Sequence, residues 1–309
     1  MYNDVMKKFF ARVLPALSIL FSGILWGVIS IFIRRLSAAG LSSMQICFVR
    51  LLIAAPIFVV AALIFSPKRM KIRLRDLWIF LGTGVVSVFL FNYFYFYTII
   101  HSEASVAVVL LYTSPIFVMI LSRIIFKEKI GAEKIIALGM TFIGCILVSG
   151  VVSGASSLRP VVALIGVLSG LFYALYTIFA AFGLKKYDPL TVTAYTFLFA
   201  ALVSLPVSDV KGVFSVLCGT PVLWLWAAGI SLICTVLPYF FYTWGLKKTE
   251  SSRAAILVAI EPLVGALIGI LFYGEGHDFP KILGIVFVLG AILLLNLPRI
   301  KKREELPLE

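Results

Sequence analysis

FYFYTIIHSEASVAVVLLYTSP (94–115) and FYTWGLKKTESSRAAILVAIEP (241–262) lie 147 positions apart and align without a gap. Phe94/Phe241, Tyr95/Tyr242, Glu103/Glu250, Ser105/Ser252, Ala107/Ala254, Leu110/Leu257 and Pro115/Pro262 are identical pairs. A second pair keeps the same offset. SGILWGVISIF (22–32) falls on SGLFYALYTIF (169–179), sharing Ser22/Ser169, Gly23/Gly170, Ile31/Ile178 and Phe32/Phe179. Glu128/Glu275 and Lys134/Lys281 extend the register. A shared apolar composition would match Leu with Val at scattered offsets. Matching Tyr, Glu, Ser-Gly and Pro at one offset is the mark of a duplication. Two units are therefore expected, 1–152 and 153–309, the second ending in a short basic tail.

Of the 309 residues, 62% are hydrophobic and 13% charged. Soluble domains run near half apolar and about a quarter charged, so lipid must be the main solvent of this chain. The net charge of +13 does not indicate nucleic-acid binding, because the basic residues sit in short gaps between apolar runs rather than in a basic domain. Cys47, Cys145, Cys218 and Cys234 all fall in apolar runs without metal-ligand spacing, and read as buried free thiols. Lys7, Lys8 and Arg12 precede an apolar stretch from Val13 to Ile33, which exceeds a cleavable signal core of about 7–15 residues and reads as a first membrane helix.

A helix needs about 20 mostly apolar residues to cross a bilayer. Ten runs satisfy this, near 13–33, 43–66, 77–100, 104–126, 132–152, 160–183, 189–207, 221–246, 252–273 and 279–297. An even number of spans puts both termini on one side. The termini and the 2–3, 4–5, 6–7 and 8–9 connections carry 20 of the 27 Lys/Arg residues; the other loops carry five. The positive-inside rule places both ends in the cytoplasm. The segment PKRMKIRLRD (67–76) is the strongest marker; topology accounts for it, and a polybasic contact with lipid is the alternative. With five spans per unit, the second unit enters the membrane from the opposite face. The expectation is an all-α integral membrane protein of ten transmembrane helices in two inverted five-helix repeats. Repeats of this kind are frequent in secondary transporters, whose site lies at the midplane between the halves.

The chain resembles the drug/metabolite transporter superfamily, in particular the bacterial EamA-type transporters of two five-helix repeats. The carriers are Trp26-Gly27, Arg50, Pro115, Glu128 and Gly139 in the first half, and Glu261-Pro262, Glu275 and Gly284 in the second. The resemblance covers nearly the whole chain. It implies a multi-pass protein of the bacterial plasma (inner) membrane that exports a small metabolite. The superfamily's substrates include amino acids, amines, nucleotide precursors and drugs. One departure is the aromatic third helix, FNYFYFYTIIHS (91–102), where relatives carry small residues.

Chemistry in lipid is restricted to few residues. No H-E-x-x-H, no P-loop and no mid-span Asp occurs, so an enzyme, an ATPase or a metal or cofactor site is not expected. Glu261 lies about 14 Å into its span at 1.5 Å per residue, and its repeat partner is Ser114. An unpaired carboxylate at that depth takes up a proton or finds a partner. Arg50 is the one deep cation, within possible reach of Glu261 or serving the structure by snorkelling. Glu261 itself either caps the proline break or handles substrate or proton. Pro115 and Pro262 free the carbonyls of Leu111 and Val258, which suggests paired hinges at a cavity wall, or plain packing kinks.

Asn92, Tyr95 and Phe96 share a helical face, and the offset relates Asn92 to Tyr239 and Tyr95 to Tyr242. Trp26 maps to Tyr173, with Tyr176 nearby. Together these form a candidate aromatic lining able to stack a ring or hold an ammonium at about 0.5–2 kcal/mol per ring. Trp78, Trp224 and Trp226 read as interface anchors. Gly23/Gly27, Gly166/Gly170 and Gly265/Gly269 allow close helix packing. The function expected is a secondary active or facilitative transporter of a small polar metabolite, an amino acid or amine, by alternating access. A proton is the candidate coupling ion, and the protein is a monomer or a dimer. A flippase for a lipid-linked head group is the alternative.

Overall fold

A computed structural model of the chain describes residues 2–65, 67–102, 104–149, 159–274 and 279–296. Every regular element among them is helical. Among the described residues, nine helices are long and apolar enough to cross a membrane. In chain order the spans are Val13–Ala38, Ser43–Phe65, Leu74–Ile99, Val106–Phe126, Ala132–Ser149, Pro160–Leu184, Pro189–Val207, Leu223–Leu246 and Ser251–Tyr273. The tenth is the shorter apolar helix Phe279–Asn296. An extra short helix, Val210–Gly219, lies between the seventh and eighth spans and was not foreseen. It carries Cys218, which is exposed, whereas Cys47, Cys145 and Cys234 are buried as expected. Asp209 caps that helix by accepting from Gly212 N–H, a polar start that the apolar content of the run concealed. The boundary expected near 152, Glu275 and the basic tail lie outside the described residues.

Packing partners are exchanged by the repeat. The first span packs on the eighth as the sixth packs on the third, and the second and seventh, fourth and ninth, and fifth and tenth spans pair across the two halves. The matched residues Ser22 and Ser169 turn their hydroxyls back onto the carbonyls of Ile19 and Gly166, themselves 147 apart. This is how a dry interior satisfies hydroxyls without water. The third and eighth spans each contain a π-helical stretch, Gly82–Phe89 and Leu232–Val236.

The lipid-facing side shows the reverse of a soluble pattern. Along the tenth span Ile282, Val286, Leu289 and Leu293 are exposed at three-to-four-residue spacing, while Val288, Ala291, Ile292 and Leu295 are buried. Small residues let that buried face approach the fifth span: a β-carbon at Gly284 would lie 2.7 Å from the carbonyl oxygen of Gly144. Lipid gives no hydrophobic drive between helices, so such close packing carries the association.

The two proline breaks are matched, with the helix restarting at equivalent residues, Ser114 and Glu261. Ala104–Leu111 gives way to Ser114–Phe126, and Ser251–Leu257 to Glu261–Tyr273, with 3-10 geometry at Val258–Ile260. The carbonyl of Val258, displaced by Pro262, is taken up within this turn by Glu261 N–H. It also lies against Gly23, where a β-carbon would sit 2.9 Å from the Val258 oxygen. In the first half, a β-carbon at Gly170 would sit 3.0 Å from the Leu111 oxygen. The repeated Gly and the repeated Pro thus belong to one contact, made twice.

Candidate functional site

Both breaks lie beside a central cavity. Trp26, Ser114, Tyr173, Tyr176, Tyr239 and Tyr242 line it, with Thr177 and Val258 among the other walls. The free space is about 20 Å³, room for about one water. Its aromatic rings pack against one another rather than standing apart. Trp26 meets Tyr239 edge-on, with centroids 5.0 Å apart, and Tyr176 meets Tyr239 edge-on at 5.2 Å. These T-shaped contacts set positive ring edges against negative faces.

Glu261 stands behind this lining. It begins the second half of the broken ninth span, so its carboxylate sits at a helix N-terminus, where the backbone dipole favours negative charge. The Tyr173 hydroxyl points to Glu261 Oε2 at 3.5 Å. Tyr112 lies beside the same carboxylate, and its buried hydroxyl has no partner at hydrogen-bond geometry among the described residues. Tyr112 belongs to the other matched break, so the two breaks face each other across the carboxylate. Sequence reasoning missed Tyr112. The available signal was a phenol one turn ahead of Pro115, opposite an Ala at position 259 in the repeat.

Asn92, Tyr95, Phe96 and Arg50 do not line the cavity. The Asn92 amide is buried and donates to the Val88 carbonyl one turn back, serving its own helix. Tyr95 stacks on Phe91, which in turn meets Tyr173, and Phe96 packs against the main core. Arg50 is buried with its Nε lacking an acceptor among the described residues. It lies within electrostatic reach of Glu261, Tyr239, Cys47 and Cys234 but forms no ion pair with Glu261. The direct contact that depth along the helices allowed is not made.

Two further hydroxyl pairs join the sixth and eighth spans. Tyr176 Oη and Thr243 Oγ1 are 3.0 Å apart, and Thr177 Oγ1 and Tyr242 Oη are 2.7 Å apart. The repeat equivalents on the first and third spans are Ile29 and Phe96, which have no hydroxyls, and Ser30 and Tyr95. Among the described residues, the zipper is found at one of the two crossings. Both pairs lie between Glu261 and the ends of these spans at Leu184 and Leu246, which the basic-residue bias assigns to the cytoplasm.

A second latch ties the halves at that face. Glu128, in the 4–5 connection, accepts from Ser251 N–H at 2.8 Å, Ser252 N–H at 3.2 Å and Ser252 Oγ at 2.6 Å. A first-repeat carboxylate therefore caps the ninth span of the second repeat. Buried Lys134 adds contacts to Ser252 Oγ at 2.9 Å, Glu250 at 2.6 Å and Glu128 at 3.9 Å.

Ten apolar spans in two inverted halves, meeting around a half-buried carboxylate and an aromatic cavity, define a membrane transporter. The chain belongs to the EamA-like transporter family, whose model matches it twice, over residues 13–150 and 160–297. It is 28% identical over 282 residues to an uncharacterized transporter of Archaeoglobus fulgidus, covering 90% of this chain and 94% of that protein. It is 25% identical to the uncharacterized inner membrane transporter YicL of Salmonella typhimurium, covering 91% and 94% respectively. A protein crystal structure superposes with a TM-score of 0.77 at 14% identity, over 92% of this chain and 97% of that one; this likeness concerns the fold alone.

Proposed function

We propose that the chain is a secondary active or facilitative transporter that exports a small polar metabolite, an amino acid or amine, from the cytoplasm across the bacterial inner membrane. The observation that carries this reading is the single carboxylate at the matched breaks. Glu261 faces Tyr112 and Tyr173 beside a cavity walled by Trp26, Tyr176, Tyr239 and Tyr242. An ammonium group matches that setting, with a carboxylate to neutralise it and ring faces to hold it. Transport by alternating access lets the closed cavity enlarge towards one side at a time, with Pro115 and Pro262 as paired hinges. A proton competing for Glu261 couples the cycle to a gradient.

The test is counterflow in proteoliposomes against a panel of amino acids, amines and sugars, followed by flux at several pH values. An amine-bearing solute is expected to exchange, and Glu261→Gln is expected to abolish the pH dependence while the protein still reaches the membrane. Exchange of sugars alone would remove the ammonium assignment. A pH profile unchanged in Glu261→Gln would remove the coupling role.

A further inference from the structure

A second concavity is larger than the central one. At the face assigned to the cytoplasm, a cavity of about 650 Å³ opens where the 2–3 connection crosses the ends of the sixth and eighth spans. Its volume lies within the range of small-molecule sites, roughly 300–1,000 Å³. Its walls carry five cations (Lys71, Arg73, Lys185, Lys186 and Lys247) against two carboxylates, Asp76 and Asp188.

The connection is fastened in place. Buried Asp76 accepts from Lys186 Nζ at 2.6 Å and from Tyr187 Oη at 2.8 Å. Arg73 N–H donates to the same Tyr187 oxygen at 3.1 Å, and Tyr195 Oη donates to the Met70 carbonyl at 3.0 Å. These bonds hold the backbone on either side of Lys71 and carry Lys71 and Arg73 at the cavity wall. The carboxylates are already matched, Asp76 by Lys186 and Asp188 by Lys247 at 3.2 Å. Lys185 lies over the Phe126 ring, 4.6 Å from its centroid. Lys71 and Arg73 have no acidic partner among the described residues, so an uncompensated positive pair faces the concavity.

The positive-inside rule accounts for basic residues on this face, but not for a built cavity. The repeat supplies the comparison. Shifting by 147 carries Lys71, Arg73 and Asp76 onto Cys218, Thr220 and Leu223. It carries Lys185, Lys186, Asp188 and Lys247 onto Ala38, Ala39, Leu41 and Ile100. Not one of the seven positions keeps a charge. Because the repeat is inverted, the loss of Lys and Arg on the opposite face follows from topology, and the loss of Asp76 and Asp188 is the part that topology does not require. Topology requires an excess of Lys and Arg, whereas Asp76, Asp188 and Tyr187 serve only to fix the geometry.

We infer that this cavity binds an anionic phosphoryl group, with Lys71 and Arg73 as its principal ligands. A phosphate presents several acceptor oxygens, which suit an Arg fork and a Lys point charge together. The site lies at the ends of the spans, at head-group level, so the phosphoryl group can come from an anionic lipid or from a soluble phosphate. It does not depend on which solute crosses the membrane.

The experiment compares the full-length protein with Lys71→Gln/Arg73→Gln. Neither side chain makes a hydrogen bond or ion pair among the described residues, and Lys211→Gln serves as a control on the opposite face. Apparent melting midpoints are measured in detergent against inorganic pyrophosphate at constant ionic strength. They are then measured in nanodiscs of phosphatidylcholine with and without phosphatidylglycerol. Saturable stabilisation by pyrophosphate, with affinity weakened at least about tenfold in the double variant, supports the site with a soluble source. Stabilisation by phosphatidylglycerol alone, lost in the double variant, supports it with a lipid source. Equal responses of wild type and double variant in both arms overturn the assignment, as does the absence of any response in wild type.

Discussion

Gly23→Ala and Gly170→Ala test whether the two breaks dock on the two glycines as one repeated contact. An alanine methyl at Gly23 would lie 2.6 Å from Ile260 Cγ2 and 2.9 Å from the Val258 carbonyl oxygen. At Gly170 it would lie 2.5 Å from Thr113 Oγ1, 2.9 Å from the Leu110 oxygen and 3.0 Å from the Leu111 oxygen. Carbon–carbonyl contacts relax to about 3.3–3.6 Å, so each helix must retreat by several tenths of an ångström. The Val258, Leu110 and Leu111 oxygens belong to backbone at the break and cannot swing aside as the Thr113 hydroxyl or the Ile260 methyl can. Overpacking of this size costs about 1–3 kcal/mol, partly offset by the roughly 0.5–1 kcal/mol that Ala gains over Gly in a helix. Gly139→Ala is the control, because a β-carbon there meets nothing within 4 Å. The assay is the apparent unfolding midpoint of purified protein in detergent. Gly23→Ala and Gly170→Ala should both lower it, Gly139→Ala should hold or raise it, and the double variant should add within about 0.5 kcal/mol because the contacts share no partner. Unchanged midpoints for both alanines, or a drop in one alone, refutes the repeated contact.

At the cytoplasmic latch, Lys134→Met leaves Glu128 and Glu250 without their ammonium. Glu128 keeps three donors, so the loss should fall near about 2–3 kcal/mol, with Lys134→Arg less damaging. Denaturant unfolding in micelles measures it, and no change for Lys134→Met would remove Lys134 from the latch. Thr177→Val and Tyr242→Phe should show a coupling energy of about 0.5–1.5 kcal/mol in a double-mutant cycle. Strict additivity would mean that the 2.7 Å pair contributes nothing. In intact cells, a membrane-impermeant maleimide should modify exposed Cys218 and spare Cys47, Cys145 and Cys234. Labelling of Cys218 only after permeabilisation would reverse the assigned orientation.

Much of the frame was legible because it rests on one-dimensional signals. Apolar length gave the spans, and the offset of 147 predicted which residues would occupy equivalent places. The break at Pro262 and its twin at Pro115 follow from a missing amide, a property of the chain itself. The site was legible only where equivalence sufficed. Trp26 and Tyr173 reach one cavity from equivalent places on the first and sixth spans, whereas Tyr239 and Tyr242 reach it from the eighth span and their counterparts Asn92 and Tyr95 on the third do not. Asn92 was misplaced for a physical reason: a short amide on a helix finds the carbonyl four residues back sooner than it finds a cavity. Arg50 and Glu261 were brought together by depth alone. Depth is one coordinate of three, and a shared depth does not bring the two side chains into contact.

The hydroxyl zipper shows what the repeat can and cannot encode. Thr177–Tyr242 and Tyr176–Thr243 join the sixth and eighth spans, while their counterparts are Ser30 with Tyr95 and Ile29 with Phe96. The backbones of the two crossings are related, so the difference in their strength comes from side chains. One crossing gains two hydroxyl pairs, each worth about 0.5–1.5 kcal/mol. At the same face Glu128 and Lys134 add a charged cap to the ninth span. Glu261 is likewise present in one half, with Ser114 as its counterpart in the other. A frame of nearly equal halves has no intrinsic preference for either side of the membrane. Direction must therefore come from the few positions where the halves differ, and these polar substitutions are where it should be sought. Exchanging them between repeats, with Tyr95 retained and Phe96→Thr, Ile29→Tyr and Ser30→Thr introduced, should strengthen the outer crossing. In the same protein, Thr177→Ser and Thr243→Phe should weaken the inner one. Cysteine accessibility above and below Glu261 reads the outcome. A transfer of solvent access from the outer to the inner side is expected, and unchanged access would locate the bias elsewhere than in these hydroxyls.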